Sequence, residues 1–256
     1  MKGFDFNKKV AFVTGAGGGM GLNIARDLLA VGARVTMFDA KPAPEGLDAG
    51  PTSESARYVQ GDLTDEPAVA RAMAETVAEH GRLDYLVNAA GVLWFDRDRS
   101  LVDIDLDVWD RVLAINLKSV VHTVRHAVPA MRRGGGGGGA MVHFSSIQCL
   151  RGDDQPQDAY QASKAGIVAL SKSIAIQFAK DGIRSNVIFP GPTLSPMQTR
   201  WDGKEDVQAQ VAAHVPLGRI GTTQDMANAC LFLLSDAASF ITGTGLVVDG
   251  GVIAAP

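Results

Sequence analysis

The sequence has little cysteine, no long apolar run and no excess of basic residues. Its two cysteines, Cys149 and Cys230, form neither a disulfide framework nor a CxxC redox pair. No apolar stretch approaches the roughly 18–20 residues of a membrane span, and the opening segment lacks the pattern of a secretory signal. The chain has 24 basic and 28 acidic residues, which gives no electrostatic reason to bind nucleic acid. We therefore expect a cytoplasmic protein that contacts neither membrane nor nucleic acid.

Short apolar runs alternate with longer amphipathic segments along the 256 residues, a length that suits one α/β domain. Strands are predicted at 9–13, 34–38, 56–59, 83–87, 140–144, 184–189 and 246–248. Helices are predicted at 20–31, 65–80, 107–131, 158–180 and 222–234. Continuous apolar strands that alternate with helices predict a parallel sheet with helices on both faces.

Three segments interrupt this pattern. Residues 40–57 contain three prolines, so a full helix is not expected there, and the six glycines at 134–139 predict a surface loop. Residues 190–216 lack strong periodicity, and a long irregular segment in a compact domain is often functional. We predict a single domain over residues 1–256 with a substrate lid at about 190–216.

A glycine-rich segment follows the first predicted strand and leads directly into the first predicted helix. Glycine lets the backbone approach a pyrophosphate closely, and the helix N-terminus offers free N–H groups and the positive end of its dipole. The order of strand, glycine loop and helix is the one that a dinucleotide site requires. The predicted phosphate-binding residues are Gly15, Gly18, Gly19, Met20 and Gly21.

An acidic residue, Asp39, ends the second predicted strand, 24 residues after Gly15. A carboxylate there accepts hydrogen bonds from the adenosine ribose hydroxyls and repels a 2′-phosphate. Lys41 is basic and blunts this discrimination. We expect NAD rather than NADP as the cofactor; the alternative interpretation is that Asp39 only caps the strand.

Further motifs follow one another along the chain. They are Gly61-Asp-Leu-Thr-Asp65, Asn88-Ala-Ala-Gly91, Asn116 within Ile-Asn-Leu, Ser145-Ser146, Tyr160-Gln-Ala-Ser-Lys164, Pro190-Gly191 and Val248-Asp-Gly-Gly251. Together with the glycine loop, they resemble the short-chain dehydrogenase/reductase family over residues 7–251. The resemblance implies a three-layer doubly wound (Rossmann) fold with a seven-stranded parallel sheet. It also implies an NAD(P)-dependent alcohol dehydrogenase or ketoreductase, and a homotetramer built on the two long helices and the C-terminal segment.

The resemblance also assigns cofactor contacts residue by residue. It implies contacts to the adenine, to the nicotinamide side of the cofactor and to the carboxamide. These residues are, in that order, Asp62 and Leu63; Asn88, Ala89 and Gly91; and Pro190, Gly191, Thr193 and Ser195. Ser195 stands where the family more often has threonine, and it keeps a hydroxyl.

Tyr160 and Lys164 are four residues apart in a predicted helix, so they share one face. A free tyrosine has a pKa of about 10, and we expect the lysine ammonium, beside a positively charged nicotinamide ring, to lower it. Tyr160 would then take the alcohol proton as hydride leaves to NAD, and return it in the reverse direction. Both residues are also expected to contact the cofactor.

The resemblance adds two polar residues to the catalytic set. Ser146 would orient the substrate oxygen, and Asn116 would distort its helix slightly and hold a water that links Lys164 to solvent. The gap from Ser146 to Tyr160 is 14 residues, about one more than is usual in the family. Ser145 therefore stays open as the alternative to Ser146.

Substrate contacts are expected from the segments after the fourth and fifth strands and from the lid. These residues are Trp94, Gln148, Met197 and Trp201. The expected reaction interconverts a secondary alcohol and a ketone on a small molecule, and a polyol, a sugar, or a cyclic or aromatic alcohol all suit this mixture. A 3-oxoacyl-thioester reductase is the first alternative, which Asp39 and the negative net charge disfavour. A non-catalytic NAD-binding regulator is the second, which the presence of Tyr160 and Lys164 disfavours.

Three histidines could be taken for functional residues, but a structural role is expected for each. His122 and His126 have the helical spacing of metal ligands, but no acidic or cysteine partner completes a zinc pattern. We expect no metal and assign both to packing or to the surface. His143 alternates within a strand and is expected to be buried with its hydrogen bonds satisfied.

Overall fold

The computed structural model describes residues 3–47, 55–133, 137–153 and 155–255. The strands are β1 (Val10–Thr14), β2 (Arg34–Asp39), β3 (Ala56–Gln60), β4 (Tyr85–Asn88), β5 (Gly139–Phe144), β6 (Ile183–Pro190) and β7 (Gly245–Val248). The helices are α1 (Gly19–Ala30), α2 (Glu66–His80), α3 (Leu106–Leu113), α4 (Ser119–Arg133), α5 (Asp158–Gln177), α6 (Glu205–Ala213) and α7 (Thr223–Leu234). Every predicted strand is confirmed, with bounds that differ by at most two residues.

The seven strands form one parallel sheet in the order β3-β2-β1-β4-β5-β6-β7, which confirms the predicted doubly wound fold. β1 is an inner strand: Val13 is paired with Met37 of β2 on one side and with Val87 of β4 on the other. The order of the strands reverses between β1 and β4. A crevice therefore opens at their carboxyl ends, where ligands bind in sheets of this kind.

Both faces of the sheet are buried, because successive residues of each strand point to opposite sides. Ala11 and Val13 of β1 belong to one core layer, together with residues of α1 and α7. Val10 and Phe12 belong to the other, together with residues of α2, α4 and α5. In the described ranges, no helix is long and apolar enough to cross a membrane.

The long helical stretch predicted at 107–131 is confirmed, although it is not α-helical throughout. The structure divides it into α3 and α4, joined by a π-helical turn at Ala114–Lys118. Asn116 lies in this turn and is completely buried. Its amide accepts from the Val92 backbone N–H at 2.7 Å and donates to the Val92 carbonyl at 3.0 Å. The wider turn brings this side chain onto the segment after β4, which confirms the expected distortion.

The structure can be compared with the predictions for the three irregular segments, residues 40–57, 134–139 and 190–216. Residues 40–47 contain no helix, whereas residues 48–54 of the same segment and residues 134–136 of the predicted glycine loop lie outside the described residues. Residues 190–216 are more regular than expected, because they contain a 3₁₀ turn at Pro196–Trp201 and the helix α6. No residue of α6 is buried, and its partly buried face carries only Val207 and Val211 as large apolar residues, so periodicity gives a weak signal there.

A buried polar chain crosses the sheet and joins α4 to α5; it consists of Thr123, Asn88, His143, Ser185 and Ser171. The Thr123 hydroxyl donates to the Asn88 amide oxygen at 2.9 Å, and the Asn88 amide nitrogen lies 3.0 Å from His143 Nδ1. His143 Nε2 lies 3.1 Å from the Ser185 hydroxyl, which lies 2.8 Å from the Ser171 hydroxyl. Every member is buried, so each needs these partners.

Candidate active site

Two adjoining clefts open at the carboxyl ends of the strands. The larger cleft has a volume of about 520 Å³ and is lined by the glycine loop, Asp39 and the segment after β4. The smaller cleft has a volume of about 190 Å³ and is lined by Ser146, Tyr160 and Lys164. The residues that line both are Met20, Ala89, Leu93, Ser195 and Met197. The two clefts therefore form one continuous groove.

The glycine loop lies at the N-terminus of α1, against the segment that follows β4. A Cβ on Gly15, whose φ is +70°, would lie 2.7 Å from the Ala90 nitrogen. A Cβ on Gly21 would lie 2.3 Å from the Gly15 carbonyl oxygen. The first turn of α1 can approach β1 this closely only with glycine. The open cradle and the free N–H groups of the helix start fit a pyrophosphate.

Asp39 lies at the far end of the larger cleft, and Lys41 also lines it. One carboxylate oxygen of Asp39 accepts from the Gly17 N–H at 2.8 Å, and the other accepts from the Lys41 N–H at 2.9 Å. Each oxygen keeps a lone pair for a further donor. The carboxylate is thus fixed in position and can accept from ribose hydroxyls, which fits the adenosine half of a nicotinamide dinucleotide.

Tyr160 and Lys164 lie on the face of α5 that covers the carboxyl end of β5, and both are buried. The Lys164 ammonium lies 5.6 Å from the centre of the Tyr160 ring and donates to the Phe144 carbonyl at 2.9 Å. Ser146, two residues after Phe144, forms a hydrogen bond with the Tyr160 hydroxyl. Phenol, hydroxyl and ammonium therefore meet at one end of the smaller cleft.

Burial controls the acidity of this cluster in the protein alone. It raises the pKa of Tyr160 to about 12, although the hydrogen bond with Ser146 opposes the rise. It lowers the pKa of Lys164 to about 8, because a buried ammonium is poorly solvated. The lower tyrosine pKa that the sequence predicts from Lys164 and a positively charged nicotinamide ring is therefore not found in the protein alone, where burial has the larger effect.

Ser145 and Ser146 differ in what their hydroxyls contact. The Ser145 hydroxyl donates to the Lys164 carbonyl at 2.8 Å, so it is used to hold α5 against β5. The Ser146 oxygen accepts from the Gln148 N–H at 3.2 Å, and its hydroxyl also interacts with that of Tyr160 inside the cleft. This difference favours Ser146 as the residue that would meet a substrate oxygen.

The remaining predicted residues fall into two groups. The large group lines one of the two clefts: Asp62, Leu63, Gly91, Trp94, Gln148, Pro190, Gly191, Thr193 and Trp201. Trp94 lines the larger cleft, away from Tyr160. Asn88 and Asn116 are buried behind the cleft walls, where they bind other residues of the chain. No group of three or more potential metal ligands occurs in the described ranges.

A further residue, Asp98, was missed by the sequence analysis. Its carboxylate is buried and accepts from the backbone N–H groups of Ala159, at 3.0 Å, and Tyr160, at 2.8 Å. A second contact joins the same two segments, because the Asp158 carboxylate at the start of α5 accepts from the Leu101 N–H at 2.8 Å. Asp98 therefore caps α5 from a segment about sixty residues earlier, and the helix start that carries Tyr160 depends on it.

We expect Asp98→Ala to lower the free energy of unfolding by about 1–3 kcal/mol, because two buried N–H groups lose their acceptor. For a chain of this size, Tm should fall by about 2–12 °C. Calorimetry of Asp98→Ala checks this, with Asp96→Asn as the control. Asp96 is exposed, and its carboxylate forms a surface ion pair with Arg97 at 3.6 Å. Equal Tm values for both variants and the wild type would show that the cap does not stabilise α5.

Comparisons with known proteins agree with this geometry. The family model described as "Enoyl-(Acyl carrier protein) reductase" matches residues 15–253. The chain is 38% identical to a cis-4-hydroxycyclohexanecarboxylate dehydrogenase of Sinomonas cyclohexanicum, over 97% of this chain and 98% of the relative. It is 33% identical to an acetoacetyl-CoA reductase of an Acinetobacter species, over 96% and 98%. The solved aldohexose dehydrogenase of Thermoplasma acidophilum aligns with a TM-score of 0.89 at 28% identity, over 99% and 97%.

These matches extend over almost the whole chain and include the fold, the glycine loop and the tyrosine-bearing helix. The chain belongs to the short-chain dehydrogenase/reductase family. It is therefore an oxidoreductase that uses a nicotinamide cofactor, NAD or NADP.

Proposed function

We propose that this protein is an NAD-dependent dehydrogenase that interconverts a secondary alcohol and a ketone on a small molecule. The observation that carries the proposal is the meeting of Tyr160, Ser146 and Lys164 in a cleft continuous with the glycine-lined one. When bound, NAD supplies the hydride acceptor. The smaller cleft holds only a small substrate, and residues 190–216 form the lid that covers it.

The proposed roles follow from the contacts of each side chain. The Ser146 hydroxyl donates to the substrate oxygen and orients it towards the Tyr160 hydroxyl. Tyr160 takes the alcohol proton during oxidation and returns it during reduction. Lys164 supplies positive charge near the phenol, and Asn116 holds the water that links Lys164 to solvent. Ser145 is left with the structural role of holding α5.

The preference for NAD rests on Asp39. We expect wild-type kcat/KM to be at least about tenfold higher with NAD than with NADP, because the carboxylate binds ribose hydroxyls and repels a 2′-phosphate. Asp39→Asn should lower kcat/KM with NAD by about 10- to 100-fold, the usual effect of losing hydrogen bonds to a charged group. Lys41→Ala should increase the preference for NAD. Steady-state kinetics with both cofactors checks these values, and a wild-type preference for NADP would refute the assignment.

The activity itself is tested by incubating the purified protein with NAD and a panel of polyols, aldoses, and cyclic and aromatic secondary alcohols. Absorbance of the reduced nicotinamide reports turnover. Faster reduction of acetoacetyl-CoA with NADPH would instead favour the alternative, a 3-oxoacyl-thioester reductase, a relative of which is named above. A protein that binds NAD but oxidises or reduces none of these compounds would favour the non-catalytic NAD-binding regulator, and one that binds neither NAD nor NADP in calorimetry would exclude all three functions.

We also propose a cytoplasmic homotetramer. The two cysteines are free thiols, which suits a reducing compartment. Apolar side chains are exposed on both long helices, as Val121 of α4 and Ile176 of α5, and near the C-terminus, as Ile253. Burial of these side chains between copies of the chain would be favourable.

A further inference from the structure

Arg200 is the most unusual charged residue in the smaller cleft. It belongs to the 3₁₀ turn Pro196–Trp201 in the proposed lid and lines the same cleft as Tyr160 and Ser146. Its guanidinium carbon lies 3.9 Å from the centre of the Phe95 ring and 5.2 Å from the centre of the Trp201 ring. Stacking on two aromatic rings holds the planar cation in place while leaving its edge open for hydrogen bonds.

The hydrogen-bonding capacity of this guanidinium is largely unused. Its Nε donates to the Gln198 side-chain oxygen at 3.0 Å, but its two terminal nitrogens donate to no residue in the described part of the chain. Burial lowers the pKa of Arg200, and the charge of Asp153 opposes this fall only in part. The two terminal nitrogens of this stacked, partly desolvated guanidinium can donate side by side, which suits a planar anion such as a carboxylate.

The charged side chains that line the smaller cleft also favour an anionic ligand. Arg151 and Lys164 also line the smaller cleft, and Asp153 is the acidic side chain among its lining residues. The Asp153 carboxylate accepts from the Gln148 amide at 2.7 Å and from the Gln155 N–H at 3.1 Å. Among the lining residues that the structure describes, three basic groups stand against one carboxylate, although the chain as a whole carries a net charge of −4.

We propose that the substrate is a small hydroxy acid whose carboxylate is bound by Arg200 while its carbinol meets Ser146 and Tyr160. The inference rests on the proposed dehydrogenase activity and narrows its substrate class. A carboxylate matches the two parallel N–H donors of a guanidinium edge, and the cleft volume of about 190 Å³ suits a compact molecule. Arg151 adds long-range attraction for the same charge.

The proposal is tested by binding, without turnover. Calorimetry measures the affinity of the NAD-saturated protein for cyclohexanecarboxylate and for the neutral, similarly shaped cyclohexanecarboxamide. We expect the acid to bind at least about tenfold more tightly than the amide. In Arg200→Leu, the acid should bind about 10- to 100-fold more weakly and the amide within about threefold of wild type. Arg200→Lys should recover part of the difference, since it keeps the charge and loses the planar edge.

Arg97→Leu is the matched control, because Arg97 also stacks on an aromatic ring, that of Trp94 at 5.6 Å, but lines neither cleft. It should bind both probes as the wild type does. Equal affinity for acid and amide, no binding of the acid, or an acid affinity that Arg200→Leu leaves unchanged would overturn the proposal. NAD affinity is measured first in each variant, so a failure of cofactor binding, which concerns the dehydrogenase itself, is separated from a failure of the carboxylate site.

Discussion

Replacing Tyr160 with phenylalanine should lower kcat for alcohol oxidation by about 10² to 10⁴, the usual contribution of a general acid or base. The phenylalanine ring fills the same space on α5, so binding of NAD and folding should change little. Oxidation by the wild type should rise with pH, because the proton passes to an oxygen whose pKa burial raises to about 12 in the protein alone. The variant should lose this rise. Steady-state rates across pH check both results.

Tyr85→Phe is the control for this experiment. Tyr85 is also a buried tyrosine, but its ring packs against Phe6 at 5.6 Å and lines neither cleft. It should keep wild-type turnover and the wild-type pH profile. If Tyr160→Phe turns over within tenfold of wild type, the assignment of Tyr160 as the acid and base is wrong.

Replacing Gly21 with alanine should strongly destabilise the fold and weaken the dinucleotide site. The added Cβ would lie 2.3 Å from the Gly15 carbonyl oxygen and 2.7 Å from the Gly15 carbonyl carbon, both of which are backbone atoms. The only relief is a shift of α1 away from β1, which costs about 3 kcal/mol as other overpacked sites do. Tm should therefore fall by about 6–12 °C, as differential scanning calorimetry would measure.

Gly18→Ala is the control for Gly21→Ala. It also replaces a glycine of the loop by alanine, but without a clash of the added Cβ with the backbone. A Cβ at Gly18 would have its nearest neighbour at 4.0 Å, and its φ of 172° is extended backbone that any residue adopts. Gly18→Ala should therefore keep the wild-type Tm within about 2 °C. Equal Tm values for the two variants would show that α1 does not depend on the close contact at Gly21.

The sequence predicted those features that depend on neighbouring residues. The strands were found because each is a short apolar run buried on both faces, as Val10–Thr14 is. The predicted start of the helix at 65–80 is one residue from that of α2, where Asp65 accepts from the Ala68 N–H at 3.4 Å within one turn of the same helix. The glycine loop and the pair Tyr160 and Lys164 were identified for the same reason, because their spacing along the chain is itself the signal.

Features that depend on distant contacts were not predictable. Asp98 contacts Tyr160 across 62 residues, and nothing near Asp98 in the sequence distinguishes it from the exposed Asp96. The stacking of Arg200 on Phe95 likewise joins two segments that only the fold brings together. The helix α6 was missed for a different reason, since it buries no side chain fully and its one partly buried face carries only two large apolar residues, Val207 and Val211. The roles of individual site residues stay predictions.

The buried polar chain fixes the tautomer of its central histidine. The Asn88 oxygen accepts the Thr123 proton, so the Asn88 nitrogen must donate to His143 Nδ1, and Nε2 carries the single ring proton towards Ser185. A second ring proton would face a donor, and burial lowers the pKa of His143 to about 4. Between about pH 6.5 and pH 4, the unfolded chain takes up a proton that the folded chain refuses. The free energy of unfolding therefore falls as the solution is acidified through this range. The buried, neutral His143 is thus one reason why the folded protein should be less stable in acid.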